Sequence, residues 1–224
     1  MKEGNTYKVN HKVYVNKGNP MVLSLIEGTN KKILDVGCGA GDNARELIHK
    51  GHIVDGITLS DAEAEVGKAI MRNVYVHNLE SGLPEIITEK YDYVICSHVL
   101  EHIAYPENLL ADIRKQIEEN GKLIVALPNL MHYKSRIQLL LGNFNYQDSG
   151  IWDYTHVRWY TFRTGQKLLI DNGYKIEKRF VDGDIPFLSL FFIIPTRVRQ
   201  LVFKVLTKIS RGMFGGQLIY TARP

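Results

Sequence analysis

Three glycines at alternate positions, Gly37, Gly39 and Gly41, break the run Ile33-Leu34-Asp35-Val36, and the residues after them turn helical in pattern. A buried parallel strand reads this way when it ends in a glycine-rich turn and opens a helix. Without Cβ atoms the turn can take positive φ and bring its backbone against a ligand. That ligand would sit at the carboxyl edge of the strand, where open α/β sheets form their crevice. A second pair with chemical capacity lies much further along: Asp153 and His156, three apart in Trp152-Asp153-Tyr154-Thr155-His156-Val157-Arg158. An aspartate that orients a histidine and fixes its tautomer makes a general base for a hydroxyl. The competing reading is that Asp153, His156 and Arg158 tie down a long loop through hydrogen bonds. No metal site is expected, because the eight histidines are scattered and His98 and His102 have only Glu101 beside them.

These residues need elements to hold them in place. Apolar, β-rich strands are predicted at 32–37, 52–59, 74–77, 91–97 and 122–127. Between them lie helices at 43–50, at 61–71 behind a Ser60-Asp61 cap, and at 106–119, the last closed by Asn120-Gly121. A short helix at 21–26 precedes the first strand. Strands alternating with helices predict an α/β fold with a parallel, doubly wound sheet and helices on both faces. The second half is less regular: a helix at 131–141, an ordered loop at 142–161, a helix at 162–172, a strand at 174–181 and a last strand at 216–222. All 224 residues are expected to form one domain.

Three segments together resemble the class I S-adenosylmethionine (SAM) dependent methyltransferases. The first is Asp35-Val36-Gly37-Cys38-Gly39-Ala40-Gly41, which has the G-x-G-x-G spacing of that family's first motif rather than the G-x-G-x-x-G of dinucleotide folds. The second is Ser97-His98-Val99-Leu100-Glu101-His102, directly after the fourth strand, similar to a family segment ending in Leu-Glu-His. The third runs from Asn129 to Thr161 and resembles a subgroup with an Asp-x-Thr-His-x-Arg segment whose members often accompany glycan assembly. The resemblance implies a seven-stranded, mostly parallel sheet with a C-terminal hairpin. It also implies SAM as cofactor, with S-adenosylhomocysteine (SAH) as product, held by Asp35, Gly37, Cys38, Gly39, Gly41, Thr58, Leu59, Asn78, Leu79, Ser97 and His98. Residues 31–128 would then be the cofactor-binding core and 129–224 the acceptor side, behind an N-terminal arm and helix at 1–30.

Two positions depart from the family pattern. Thr58 stands where an acidic residue normally takes both ribose hydroxyls, with Asp61 or Asp55 as candidates to compensate. Asn78 stands where an aspartate normally meets the adenine amino group, which an amide oxygen can also accept, with Leu79 packing on the ring. His98 would face the methionine part of the cofactor.

The leading expectation is therefore a methyltransferase acting on oxygen of a small-molecule or glycan acceptor, with His156 as base and Asp153 behind it. The alternatives are N- or C-methylation of a small metabolite, or a methyltransferase-like module that has lost turnover at Thr58 and Asn78. Trp152, Tyr154, Trp159 and Tyr160 form either a stacking face for a sugar or loop packing.

The formal charge of +4 is mildly basic, and no nucleic-acid recognition motif accompanies it. Cys38 and Cys96 do not make a disulfide framework, so a reducing cytoplasm is expected, and residues 1–20 lack the apolar core of a secretion signal. The stretch 187–213 is apolar and basic. Val198, Leu201, Val202, Val205, Leu206, Ile209 and Met213 recur at helical spacing, opposed by Arg197, Arg199, Lys204, Lys208 and Arg211. Such a helix either packs on the sheet with a solvated basic edge or lies on an anionic membrane surface.

Overall fold

The structure, a computed structural model, describes residues 18–183 and 195–224. Most of the expected N-terminal arm and the apolar stretch 187–194 lie outside the described residues.

The chain runs α1 (Pro20–Leu23), β1 (Lys32–Val36), α2 (Asp42–His49), β2 (Ile53–Thr58), α3 (Asp61–Lys68), β3 (Asn73–Val76), β4 (Tyr91–Ser97), α4 (Pro106–Lys115) and β5 (Ile117–Pro128). It continues with α5 (Tyr133–Leu140), α6 (Phe162–Asp171), β6 (Lys175–Asp182), α7 (Thr196–Ile209), α8 (Arg211–Phe214) and β7 (Gln217–Arg223). The seven strands form one sheet in the order β3-β2-β1-β4-β5-β7-β6. Pairs from β3 to β5 are parallel, and β7 runs antiparallel between β5 and β6. The doubly wound sheet and the C-terminal hairpin are thus as expected. The strand order reverses between β1 and β4, which places the crevice outside the ends of those strands.

Both faces of the sheet are covered, and the two-residue period of the strands divides the core. Leu34 and Val36 of β1 join Leu123, Val125 and Leu127 of β5 in one cluster. Ile33, with Ile124 and Ala126, belongs to the opposite one.

Two expectations are corrected here. The helix predicted to reach residue 119 stops at Lys115, and the chain is already in β5 at Ile117. Asn120-Gly121 therefore lies inside β5, where the register with β4 slips between the pairs Tyr91–Ile117 and Tyr93–Lys122. A Cβ at Gly121 would lie 2.9 Å from the Tyr91 carbonyl oxygen, so close strand approach, not a helix cap, requires the glycine. Asp55, a candidate to replace the missing ribose acid, is buried and committed elsewhere. It accepts from Arg72, from Asn73 Nδ2 at 3.1 Å and from the Tyr91 hydroxyl at 2.9 Å, tying β2 to its neighbours.

Candidate active site

The carboxyl ends of β1, β2 and β4 open into a cleft of about 900 Å³. The β1 turn contributes Gly37, Cys38 and Gly39, β2 contributes Thr58 and Leu59, and the turn after β3 contributes Asn78 and Leu79. Ser97 and His98 close the cleft from the end of β4. Gly37 sits at φ 77°, and a Cβ there would fall 2.4 Å from Val99 Cγ2, so the turn can pass beneath the post-β4 segment only as glycine. Cys38 is buried. Burial first, then the charges of Asp35 and Glu63, pushes its thiol well up, so it lines the cleft as bulk and not as a nucleophile.

Two of the expected contacts do not line the cleft. Gly41, at φ 88°, is the N-cap of α2, and its part is conformational. Asp35 is buried beneath the turn. Burial pushes its carboxyl up to about 7, with the Asn43 side chain offsetting only part of that.

The position read as a missing acid is supported by one nearby. Thr58 Oγ1 donates to Glu63 Oε2 at 2.7 Å and accepts the Ser60 N–H at 3.3 Å. Glu63 is buried, lines the cleft and stands 3.7 Å from where a Cβ on Gly39 would be. Sequence reasoning missed it because Ser60-x-x-Glu63 opens α3 and carries an ordinary capping-box signature. Asn19 and Gln217, also missed, enter from α1 and β7 and bond each other, Nδ2 to Oε1, at 2.9 Å. No local signal marks either residue. The side-chain oxygen of Asn78 accepts the Glu80 N–H at 3.1 Å, capping its turn, so one lone pair remains to face a ligand.

A second cavity of about 380 Å³ shares His98, His102 and Asp153 with the cleft and adds Glu101 and His156. His98 sits at φ 58°, in the left-handed region that a non-glycine residue enters only when its surroundings hold it there. Its Nδ1 lies 3.2 Å from Glu101 Oε1 and its Nε2 3.2 Å from Gln217 Oε1. Both neighbours are acceptors, so both ring nitrogens donate. Burial works to lower the pKa of His98, but Glu101 and Gln217 together raise it by more.

The expected orientation of His156 by Asp153 is not found. His156 Nδ1 donates to the Ile151 carbonyl at 3.1 Å, and Asp153 instead accepts from Thr155 N at 2.8 Å and Thr155 Oγ1 at 2.6 Å. Burial opposes the charge on Asp153, but those two bonds hold its carboxyl below the usual range. With Nδ1–H committed, the neutral tautomer of His156 has its lone pair on Nε2, which faces Glu101 Oε1 at 4.0 Å. Glu101 is fully buried and its Oε2 has no partner. Glu101, His102 and His156 each bring one ligand-capable atom within 4.8 Å of the others, a grouping that scattered positions in the sequence conceal.

Arg158 ties the loop down, donating from Nε to the Ala104 carbonyl at 2.7 Å. Trp152 and Trp159 also serve packing. Their indole N–H groups donate to Gln138 and to the Ile151 carbonyl, and both rings lie edge-on to Phe144. Tyr160 is buried, with its hydroxyl on the Leu100 carbonyl. Of the four aromatics, Tyr154 lines the cleft.

Comparison with known proteins agrees with this architecture. A family model described as a methyltransferase domain matches residues 10–179. The ubiquinone biosynthesis O-methyltransferase of Pasteurella multocida is 28% identical over 130 residues, covering 50% of this chain and 54% of that protein. Its counterpart in Coxiella burnetii (strain RSA 493 / Nine Mile phase I) is 29% identical over 147 residues, covering 61% and 62%. The chain thus spans a little over half the length of these curated relatives. Among solved structures, a SAM dependent methyltransferase from Archaeoglobus fulgidus superposes with a TM-score of 0.65 at 18% identity, over 92% of this chain and 90% of that one. The magnesium protoporphyrin IX methyltransferase of Synechocystis PCC 6803, solved with bound SAH, gives 0.55 at 16% identity, over 88% and 75%.

Proposed function

Because the chain belongs to the methyltransferase-domain family, we propose that it is a SAM-dependent methyltransferase acting on a hydroxyl oxygen of a small-molecule acceptor, a sugar of a glycan included. The cleft suits SAM: a turn that brings Gly37 and Gly39 to its wall, a buried acid beside it, and apolar Leu59 and Leu79. When bound, SAM supplies a methyl on an already activated sulfonium, so positioning of the acceptor carries most of the catalysis.

The observation that carries the oxygen assignment is His156. Its Nδ1–H is committed to the Ile151 carbonyl, so in the neutral tautomer the lone pair is on Nε2, which faces the buried Glu101 carboxylate in the second cavity. A hydroxyl placed there gives its proton to Nε2, and the resulting imidazolium is stabilised by Glu101. Glu101 thus takes the role expected of Asp153, and Asp153 shapes the loop through Thr155. Tyr154 offers an exposed ring at the acceptor end of the cleft. The test is transfer of labelled methyl from SAM to a panel of phenols, sugars and amines, with products identified by mass spectrometry. Methylated phenols or sugars support the assignment, and methylation confined to amines contradicts it.

Helix α7 supports a place for the acceptor side at a membrane surface. Val198, Leu201, Val205 and Ile209 form an exposed apolar stripe, flanked by exposed Arg197, Lys204, Lys208 and, in α8, Arg211. Among the described residues no helix is long and apolar enough to cross a membrane. We read this surface as a peripheral contact with anionic lipid.

A further inference from the structure

We propose that Glu63, on the first turn of α3, is the acid that takes the cofactor's ribose hydroxyls, in place of the carboxylate that related enzymes carry at the end of β2. The inference rests on the reading of the cleft as the SAM site and is independent of the acceptor.

Thr58 occupies the strand-end position itself, and its Oγ1 already accepts the Ser60 N–H, so one lone pair is left for two ribose hydroxyls. It donates to Glu63 Oε2 at 2.7 Å and so fixes the carboxylate from one side. The N-cap Ser60 completes the support. Its Oγ accepts the Glu63 N–H at 3.3 Å, and its own N–H is met by Thr58 Oγ1 at 3.3 Å. In a capping box the glutamate three residues into the helix returns to the N-cap N–H. Thr58 Oγ1 also meets that N–H, and Glu63 Oε1, on the cleft wall, comes within 3.7 Å of a Cβ position on Gly39. Gly39 has no side chain to stand between that acid and a ligand.

The geometry therefore describes a relocated acid. Threonine at the strand end is one half of a pair, and the charge it lacks is supplied five residues later from the helix. A carboxylate that is buried, held by a hydroxyl and open to the cleft suits a vicinal diol, because each of its oxygens can accept one O–H.

Calorimetric titration with SAH and with its 2′,3′-dideoxyribose analogue tests this on wild type, Glu63→Gln, and the double variant Thr58→Asp/Glu63→Ala. Melting curves without ligand report folding. Loss of a charge-assisted bond predicts that Glu63→Gln weakens SAH by roughly tenfold to a hundredfold while changing the dideoxy analogue by less than about threefold. The double variant, with the acid returned to the strand end, is predicted to recover most of the SAH affinity, and it serves equally if Glu63→Gln does not fold. Wild type that binds SAH, with Glu63→Gln binding it equally well or losing both ligands in parallel, overturns the role of Glu63 alone. A wild type that binds neither ligand overturns the cofactor reading with it.

Discussion

His156 Nε2 stands 4.0 Å from Glu101 Oε1 in the second cavity, which shares His98, His102 and Asp153 with the cleft. Glu101 follows β4, and His156 lies in the loop between α5 and α6; Val157 and Arg158 N–H both donate to the Glu101 carbonyl at 3.0 Å, so backbone pairing sets the distance. The separation exceeds a hydrogen bond, so the two groups face each other without being bonded.

His156→Ala is expected to lower kcat by about 10²–10⁴-fold with SAH affinity unchanged, as loss of a general base requires. Glu101→Gln should also lower kcat, because the imidazolium loses its counter-charge. Asp153→Asn should affect turnover less than Glu101→Gln. Steady-state kinetics on the three variants check the ranking, and a His156→Ala enzyme with full turnover removes the base.

Chelation separates the base from a metal role for the same atoms. If His156 acts as a free base, dialysis against EDTA leaves turnover unchanged, and added zinc inhibits by occupying His102, His156 and Glu101. Activity lost to EDTA and restored by a divalent cation would reassign the cluster.

Asp35 gives the fold a pH signature. Its carboxyl is raised from 3.8 to about 7 in the folded chain, so the folded state binds the extra proton between those values. Stability from this group is complete below about pH 4, falls as pH rises toward 7, and is level above; the loss is at most about 4 kcal/mol. Asp35→Asn should flatten that part of the Tm–pH profile and raise Tm at pH 8. A variant with the wild-type slope contradicts the assignment.

The α7 stripe predicts co-flotation with anionic vesicles that weakens with salt and is lost in Leu201→Asp/Ile209→Asp. Equal recovery with neutral vesicles, or none with anionic ones, contradicts a lipid contact.

The features legible in the sequence are those encoded by local pattern. Alternate glycines after Asp35 gave both the turn and the position of the cleft, because positive φ and close backbone approach at Gly37 leave no other residue type. Apolar strands alternating with helices gave a sheet covered on both faces. The errors share a cause: groups close along the chain were paired before groups brought together by the fold. Asp153 was paired with His156 three residues away, but the turn uses Asp153 for Thr155, and the facing carboxylate is Glu101 from another strand end. Glu63 reads as a helix-start residue because Ser60-x-x-Glu63 meets every local criterion for one; only the contact with Thr58 shows where its carboxylate goes. Gly121 reads as a helix stop for the same reason, although the approach of β4 is what demands it.

The cofactor cleft is the centre of the account, and one titration addresses it directly: calorimetry with SAH on wild type and Gly39→Arg, with circular dichroism and melting as folding controls. The expected result is micromolar binding to wild type that disappears in a folded Gly39→Arg, whose side chain would fill the turn beside Glu63. No binding to wild type, or binding that Gly39→Arg leaves intact, would contradict the placement of SAM in this cleft.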